Sequence, residues 1–104
     1  MHTVLTPAQQ ELVERIDGLV FTGVAKRAAD LDAKGEFPDA DFRDLHKEGL
    51  LLATLPKADG GLGFGFDGDD PLSFFLILER LAMGNASTAH CFQVHSNAAQ
   101  IVRA

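Results

Sequence analysis

Cysteine is nearly absent from this sequence, which has one, Cys91, among its 104 residues. A single thiol cannot form a disulfide within the chain, so the fold must be held together by its core. This composition fits a reducing compartment, whereas small secreted domains are rich in disulfides. With 46% hydrophobic residues the chain can bury a substantial core, and its length suits one domain over residues 1–104.

Basic residues are also few: nine Lys and Arg stand against 15 Asp and Glu, which gives a net charge of −6. Without a Lys/Arg cluster, the chain lacks the positive field that nucleic acid or an anionic membrane surface would require. No apolar segment reaches the about 20 residues that span a bilayer. The first 30 residues have charged side chains among their apolar positions, unlike a targeting leader. The sequence therefore predicts a cytoplasmic protein with no nucleic-acid or membrane partner.

The most apolar stretch, residues 70–84, carries the signals of a helix start and a helix stop. Asp70 can accept hydrogen bonds from first-turn N–H groups, and Pro71 suits the first helical position. Gly84 can take the left-handed conformation that ends many helices. At about 100° per residue both sides of this helix are apolar, which predicts that protein surrounds it.

Glu79 projects from one of these apolar sides. A carboxylate buried alone is costly, so we expect Glu79 to be paired or hydrogen-bonded in a structural role. Arg80 is adjacent in sequence but faces elsewhere on a helix, which makes it a poor partner.

A long helix is predicted before this one. Thr6 opens a capping box, and apolar residues at spacings of three and four predict a helix from Pro7 to Asp32. Its charged residues, including Arg27, are expected on a solvated face. Gly18 and Gly23 inside it would let another helix approach closely.

A shorter helix is predicted from Pro38, with Phe42 and Leu45 on its inner face, His46 as a further candidate for that face, and Gly49 at its end. Residues 50–56 are apolar but too few for a helix, so we expect an extended buried connector. No second segment of that kind exists to pair with it in a sheet. The predicted fold class is therefore all-α, with about four to five helices and a buried central helix.

The glycine-rich segment 58–68 contains Gly63, Gly65 and Gly68 at the spacing of a dinucleotide-binding loop. That motif works only between a strand and a helix, with an acid about 20 residues later to hold the ribose, and neither condition is met. The nearby acids also fail as a calcium loop, because Pro71 stands where an oxygen ligand should be. We predict a loop without cofactor chemistry.

Residues 85–104 predict a last helix, capped by Asn85 or Ser87. One side is expected to pack inward (Thr88, Cys91, Phe92, His95, Ala99 and Val102), and the other to face a pocket or another domain (His90, Val94, Asn97 and Ile101). His90 and His95 lie about 140° apart on the helix, so they cannot share a metal as an i, i+4 pair does. The thiol of Cys91 is interpreted as a small core group.

Several landmarks in order resemble the N-terminal domain of the acyl-CoA dehydrogenase superfamily. They are Phe37-Pro38, Gly49-Leu50, Pro56, Gly60-Gly61-Leu62-Gly63, Leu78-Glu79-Arg80-Leu81-Ala82 and Ala86-Ser87-Thr88-Ala89. The resemblance runs from about Thr6 to the end of the chain. It implies an all-helical domain that is followed, in the family, by a β-barrel domain and a C-terminal four-helix bundle.

The resemblance also implies an FAD-dependent oxidoreductase acting on an acyl-CoA-like thioester as a homo-oligomer. In the family, FAD and the catalytic glutamate belong chiefly to regions that this sequence lacks. The implied contribution of this chain is one wall of the acyl pocket, formed by Ala89, His90 and Gln93; the alternative is that these residues face solvent or another domain. We therefore expect no catalytic residue here, no retained FAD and no activity from the chain alone.

Two alternatives stay open at this stage. One is a flavin-dependent monooxygenase of the same superfamily, with His90 or His95 near reduced flavin and oxygen. The other is a non-catalytic helical interaction module. Because residues 100–104 continue a helical pattern without a stop signal, we also expect the chain to be a piece of a longer protein.

Overall fold

The computed structural model describes residues 4–103, which contain five α-helices. The α-helices are α1 (Pro7–Leu19), α2 (Ala25–Lys34), α3 (Asp39–Lys47), α4 (Pro71–Gly84) and α5 (Ala86–Arg103), with a π-helical segment at Val20–Val24 and 3₁₀ turns at Leu50–Leu52 and Lys57–Asp59. Within the described range there is no β-strand, which confirms the predicted all-α class. None of these helices is both long enough and apolar enough to cross a membrane.

The first predicted helix is continuous but changes its winding midway. Its capping box is confirmed, since Thr6 Oγ1 accepts from the Gln9 N–H at 3.1 Å and Gln9 Oε1 accepts from the Thr6 N–H at 3.0 Å. Between α1 and α2 the Val20–Val24 segment is π-helical, which the apolar spacing did not reveal. Gly35, with φ of 62°, ends α2 in the left-handed conformation.

The two glycines inside this helix do not serve the predicted purpose. Gly18 is exposed, and a Cβ there would meet nothing within 4 Å. A Cβ on Gly23 would meet the guanidinium of Arg27, one turn along the same helix. The expectation of close helix–helix packing at these positions is wrong.

The predicted start of α4 is confirmed, but the predicted left-handed end at Gly84 is wrong. Asp70 Oδ1 accepts from the Ser73 N–H at 3.2 Å and also from Gln9 Nε2 at 3.0 Å, so one carboxylate joins the starts of α1 and α4. Gly84 is not left-handed. It is the last helical residue, and a Cβ there would lie 2.7 Å from Val20 Cγ1, so the glycine allows α4 to approach the π segment closely.

Protein covers α4 on one side. Its buried residues are Ser73, Phe74, Ile77 and Leu81. The three apolar ones join a single core with Leu12, Ile16, Val20, Val24, Leu45, Leu50, Ala53, Ala89 and Phe92. On the other side Phe75 and Met83 are 51% and 65% exposed, so among the described residues the central helix is only half enclosed.

Glu79 is paired with a basic side chain, as expected, but the expectation that it is buried is wrong. Its side chain is 65% exposed, and the nearest cation is Arg80, the residue judged a poor partner, at 3.6 Å. The helical angle placed Glu79 on an apolar side, but this side has no cover in the described part of the chain. Solvent therefore removes the need for a buried partner.

The connector after α3 is also not extended. Gly49 is left-handed, with φ of 73°, and a 3₁₀ turn follows at Leu50–Leu52. A short apolar segment can bury some of its side chains while its backbone forms a turn. Here Leu50 and Ala53 are fully buried, while Leu52 is 46% exposed. This turn carries the chain beneath α5 and positions a backbone carbonyl for the site described next.

Candidate functional site

An open groove of about 440 Å³ lies between α3 and α5. Its lining is almost wholly apolar and consists of Phe37, Phe42, His90, Cys91, Val94 and His95. The rings of Phe37 and Phe42 contact each other with their centroids 5.0 Å apart. Pro38, the N-cap residue of α3, stands between them in the sequence. This aromatic pair forms one wall of the groove, and α5 forms the other.

His95 is held in a fixed orientation at one end of the groove. Its Nε2 lies 2.9 Å from the carbonyl oxygen of Leu51, which can only accept, so Nε2 carries the proton and donates. The imidazole also meets Phe42 edge to face, with ring centroids 6.1 Å apart.

Cys91 lines the groove and is half-buried. Its interpretation as a small core residue is therefore only partly correct, because one side of the thiol faces the open groove. No group of three or more His, Cys, Asp or Glu side chains that could hold a metal ion occurs within residues 4–102.

The three predicted pocket residues fall in different environments. Ala89 is 6% exposed and belongs to the core, whereas His90 and Gln93 are exposed. His90 lies at the edge of the groove, and Gln93 lies outside it. The spread follows from helix geometry, since Ala89 is adjacent to the buried Thr88 and Phe92 positions and His90 is turned a further 100° toward the open side.

The sequence did not indicate that Phe37 and His95 line the same groove. Phe42 and His95 were each predicted to face inward, and Phe37 was noted only as part of a landmark. Each element's apolar face can be read from periodicity, but the pairing of α3 with α5 depends on tertiary packing. The aromatic residue before Pro38 was the one local signal that a wall begins there.

An ionic cluster around the buried Asp41 connects α2, α3 and α5. Asp41 is fully buried, and its Oδ1 accepts from Arg27 Nε at 2.8 Å while its Oδ2 accepts from Thr88 Oγ1 at 2.7 Å. Arg27 Nη2 also donates to Asp44 Oδ2 at 2.7 Å. Arg27 therefore does not belong to a solvated face, as its spacing had predicted.

Burial lowers the pKa of Arg27, but hydrogen bonds to Asp44 and Asp41 and the charges of the two carboxylates outweigh it. The net result is a raised pKa, so the guanidinium stays charged. A permanent cation is what a buried carboxylate such as Asp41 needs to remain paired.

The glycine-rich loop does not fit the pyrophosphate of a dinucleotide cofactor. Such a group is bound by free backbone N–H groups, but here they are used within the protein: Gly61, Leu62, Gly63, Phe64 and Gly68 donate to backbone carbonyls, and Phe66 donates to Gln100 Oε1. Cβ atoms on Gly61 and Gly68 would collide with the carbonyls of Leu55 and Gly63, so the glycines serve close backbone packing. This agrees with the rejection of the motif from its sequence context.

Comparison with known proteins decides the family. The family model described as "Acyl-CoA dehydrogenase, N-terminal domain" matches residues 6–104. The chain belongs to this family. The match covers nearly the whole sequence and confirms both the resemblance and the helical class of the domain.

Curated relatives give the match a wider setting. The L-evernosamine nitrososynthase of a Micromonospora species is 38% identical over 94 residues, which are 90% of this chain and 21% of that protein. The cyclohex-1-ene-1-carbonyl-CoA dehydrogenase of Geobacter metallireducens is 40% identical over 86 residues, 82% of this chain and 21% of that protein. The 3-sulfinopropanoyl-CoA desulfinase of Variovorax paradoxus is 32% identical over 83 residues, 80% of this chain and 20% of that protein.

The chain therefore spans about a fifth of the length of the curated relatives it matches. No solved structure matches it in the same kind of comparison. What the family membership assigns to this acyl-CoA dehydrogenase N-terminal domain is its helical architecture and its place within an oxidoreductase family.

Proposed function

We propose that this chain is the N-terminal domain of a cytoplasmic, FAD-dependent oxidoreductase that acts on CH–CH groups of acyl-CoA-like thioesters. The observation that carries the proposal is the family match over residues 6–104. The relative from Geobacter, named as a dehydrogenase of a carbonyl-CoA compound, supports the thioester class. Fatty acid metabolism is the setting in which such a reaction belongs.

Within that protein, we assign to α5 the role of one wall of the acyl pocket. His90 and Gln93 are exposed on neighbouring faces of the helix, and Ala89 supports them from the core. The apolar groove beside His90 gives the wall a surface that an acyl group can contact. An imidazole and a carboxamide at this wall suit a substrate that is not a plain long alkyl chain.

The flavin chemistry is assigned to parts of the protein outside this chain. When FAD is bound in such an enzyme it accepts a hydride from the substrate, but the glycine-rich loop here does not fit its pyrophosphate. The proposed contribution of residues 6–104 is therefore orientation of the acyl group and exclusion of water, with no catalytic residue among them.

The test uses the product of the complete reading frame that encodes these residues, purified with its flavin. Anaerobic addition of an acyl-CoA should bleach the flavin absorbance, and H90A and Q93A should raise the thioester concentration needed for half-maximal bleaching. H46A, which alters an exposed histidine on α3 outside the groove, is the matched control and should behave as the wild type. A wild-type protein that keeps its flavin oxidised with every acyl-CoA tried would refute the proposal.

A second test concerns the 104 residues alone. The purified chain should be colourless and should not reduce an electron acceptor with any acyl-CoA. Yellow flavin retained in equimolar amount through gel filtration, or turnover by the chain itself, would show that the flavin site lies here after all.

A second candidate function is a flavin-dependent monooxygenase. It is favoured by the relative named for synthesis of a nitroso compound, which is 38% identical to this chain. In that case reduced flavin in the complete protein would consume oxygen with an amine substrate, and acyl-CoA would leave the flavin oxidised. If the complete protein retains no flavin at all, the non-catalytic interaction module becomes the better description.

A further inference from the structure

The start of α5 is fastened to α3 by a hydrogen bond between two fully buried side chains. Thr88 Oγ1 donates to Asp41 Oδ2 at 2.7 Å, across 47 residues of sequence. Both residues have no exposed surface, so water cannot replace this bond. In an environment of low polarity such a bond to a charged oxygen is strong and directional.

Asp41 is also held in place by a second side chain. Its other oxygen accepts from Arg27 Nε at 2.8 Å, and Arg27 is anchored in turn by Asp44 at 2.7 Å. Asn85 Oδ1 accepts from the N–H groups of Ser87 at 3.0 Å and Thr88 at 3.4 Å, which fixes the backbone of the same turn. Side chain and backbone of Thr88 are thus both held.

A second contact between the same helices lies two turns further along α5. Phe42, the residue after Asp41, meets His95 edge to face. The groove residues His90, Cys91 and Val94 lie on α5 between these two contacts. The Asp41–Thr88 bond at one end and the Phe42–His95 contact at the other therefore hold this part of α5 against α3.

We propose that Asp41, acting through Thr88, is a positioning residue for the pocket wall formed by α5. The inference rests on the proposed function for the meaning of that wall, but its structural part does not. With the bond broken, the first turns of α5 can shift relative to α3, and the backbone that carries His90 shifts with them. Substrate binding then weakens while the chemical step, carried by other parts of the protein, is spared.

The experiment compares two substitutions that each remove one buried hydroxyl and keep the side-chain shape. T88V removes the donor to Asp41. T54V is the matched control. Thr54 Oγ1 is buried and donates at 2.9 Å to the backbone carbonyl of Ser96, which lies further along α5 than Thr88. T88S restores the hydroxyl and should restore wild-type behaviour.

The first readout needs no substrate. Alkylation of Cys91 in the complete protein, followed by mass spectrometry of the peptide that contains it, reports the geometry of the groove one turn from Thr88. T88V should alkylate about tenfold faster than the wild type, the factor expected for loss of one hydrogen bond to a charged group, while T54V and T88S should stay near the wild-type rate. If T88V does not fold, T88A, which places no methyl group against the carboxylate, takes its place with the same expectation.

The second readout is steady-state kinetics with the best acyl-CoA. T88V should raise KM about fivefold with kcat nearly unchanged, as expected when only uniform binding is lost. Equal labelling of T88V and T54V, or T88V behaving as the wild type, would overturn the inference. Faster labelling of T88V in a protein that does not react with any acyl-CoA would uphold the positioning bond and refute the proposed function instead.

Discussion

Arg80 on α4 and Asp17 on α1 form a bidentate ion pair, with Nε 2.7 Å from Oδ1 and Nη2 2.9 Å from Oδ2. The side chains are 24% and 28% exposed, so water screens the pair only in part. The hydrogen bonds to Asp17 raise the pKa of Arg80 against the opposing effect of burial. Two parallel bonds fix direction as well as distance, so this pair sets the rotation of α4 against α1.

R80K should therefore lower the free energy of unfolding by about 1 kcal/mol, since an ammonium cannot make both bonds of the fork. R15K is the control: Arg15 and Glu48 are 43% and 42% exposed, and its effect should stay within about 0.5 kcal/mol. Urea denaturation followed by circular dichroism measures both. Equal effects of the two substitutions would show that the bidentate geometry adds nothing to stability.

Gly84 provides a second prediction about how α4 is seated. G84A would place a methyl group 2.7 Å from Val20 Cγ1 and 3.3 Å from Val24 Cγ1. Overpacking of this kind should cost about 1–3 kcal/mol of unfolding free energy. G18A inserts the same methyl into an exposed helical site with nothing within 4 Å, and should stabilise the protein by up to about 1 kcal/mol. The opposite signs of the two changes are the test, and a stabilising G84A would contradict the close approach.

The starts of α1, α4 and α5 could be predicted from short-range signals in the sequence. Thr6 and Asp70 act as the predicted caps, and Asn85 rather than Ser87 is the cap of α5. Each cap depends on residues two or three positions away, which sequence shows directly. The left-handed end predicted for Gly84 failed because a neighbouring element, the π segment, uses that glycine for packing.

Relationships between distant elements were not predictable in the same way. Periodicity placed Glu79 on an apolar side of α4, but whether that side is covered depends on what packs there. It also placed Arg27 with the charged residues of a solvated face, although Asp41 and Asp44 on α3 receive it. The groove could not be predicted from periodicity either, because its two walls come from α3 and α5, which are separated in the sequence by α4.

The raised pKa of Arg27 predicts how its contribution varies with pH. A cation whose pKa is higher in the folded state stabilises the fold fully below its unfolded pKa and loses that effect only as the pH rises through the folded value. Both values lie far above neutrality, so the difference in unfolding free energy between wild type and R27Q should be the same at about pH 6 and about pH 9. Denaturation curves at the two values measure it, and a difference that shrinks toward about pH 9 would contradict the assignment.

The last prediction concerns the open face of α5. Val94 and Ile101 are 55% and 75% exposed, and they lie seven residues apart, two helical turns along the same side. Large apolar side chains grouped in this way favour association in water. The isolated 104-residue chain should therefore self-associate through this face, with a sedimentation coefficient that rises with protein concentration.

The double variant V94E/I101E should sediment as a monomer at every concentration, because each carboxylate would have to be desolvated in the interface. The control is F21E, which replaces a phenylalanine on the π segment, 62% exposed and not on α5, by a glutamate. F21E lowers apolar exposure and adds negative charge as each α5 substitution does, so general solubility would change in all variants alike. Only a specific α5 interface predicts that F21E still associates while V94E/I101E does not. Association of both variants would place the interface elsewhere. The exposed side of α4 that carries Phe75 and Met83 would then be the next surface to substitute.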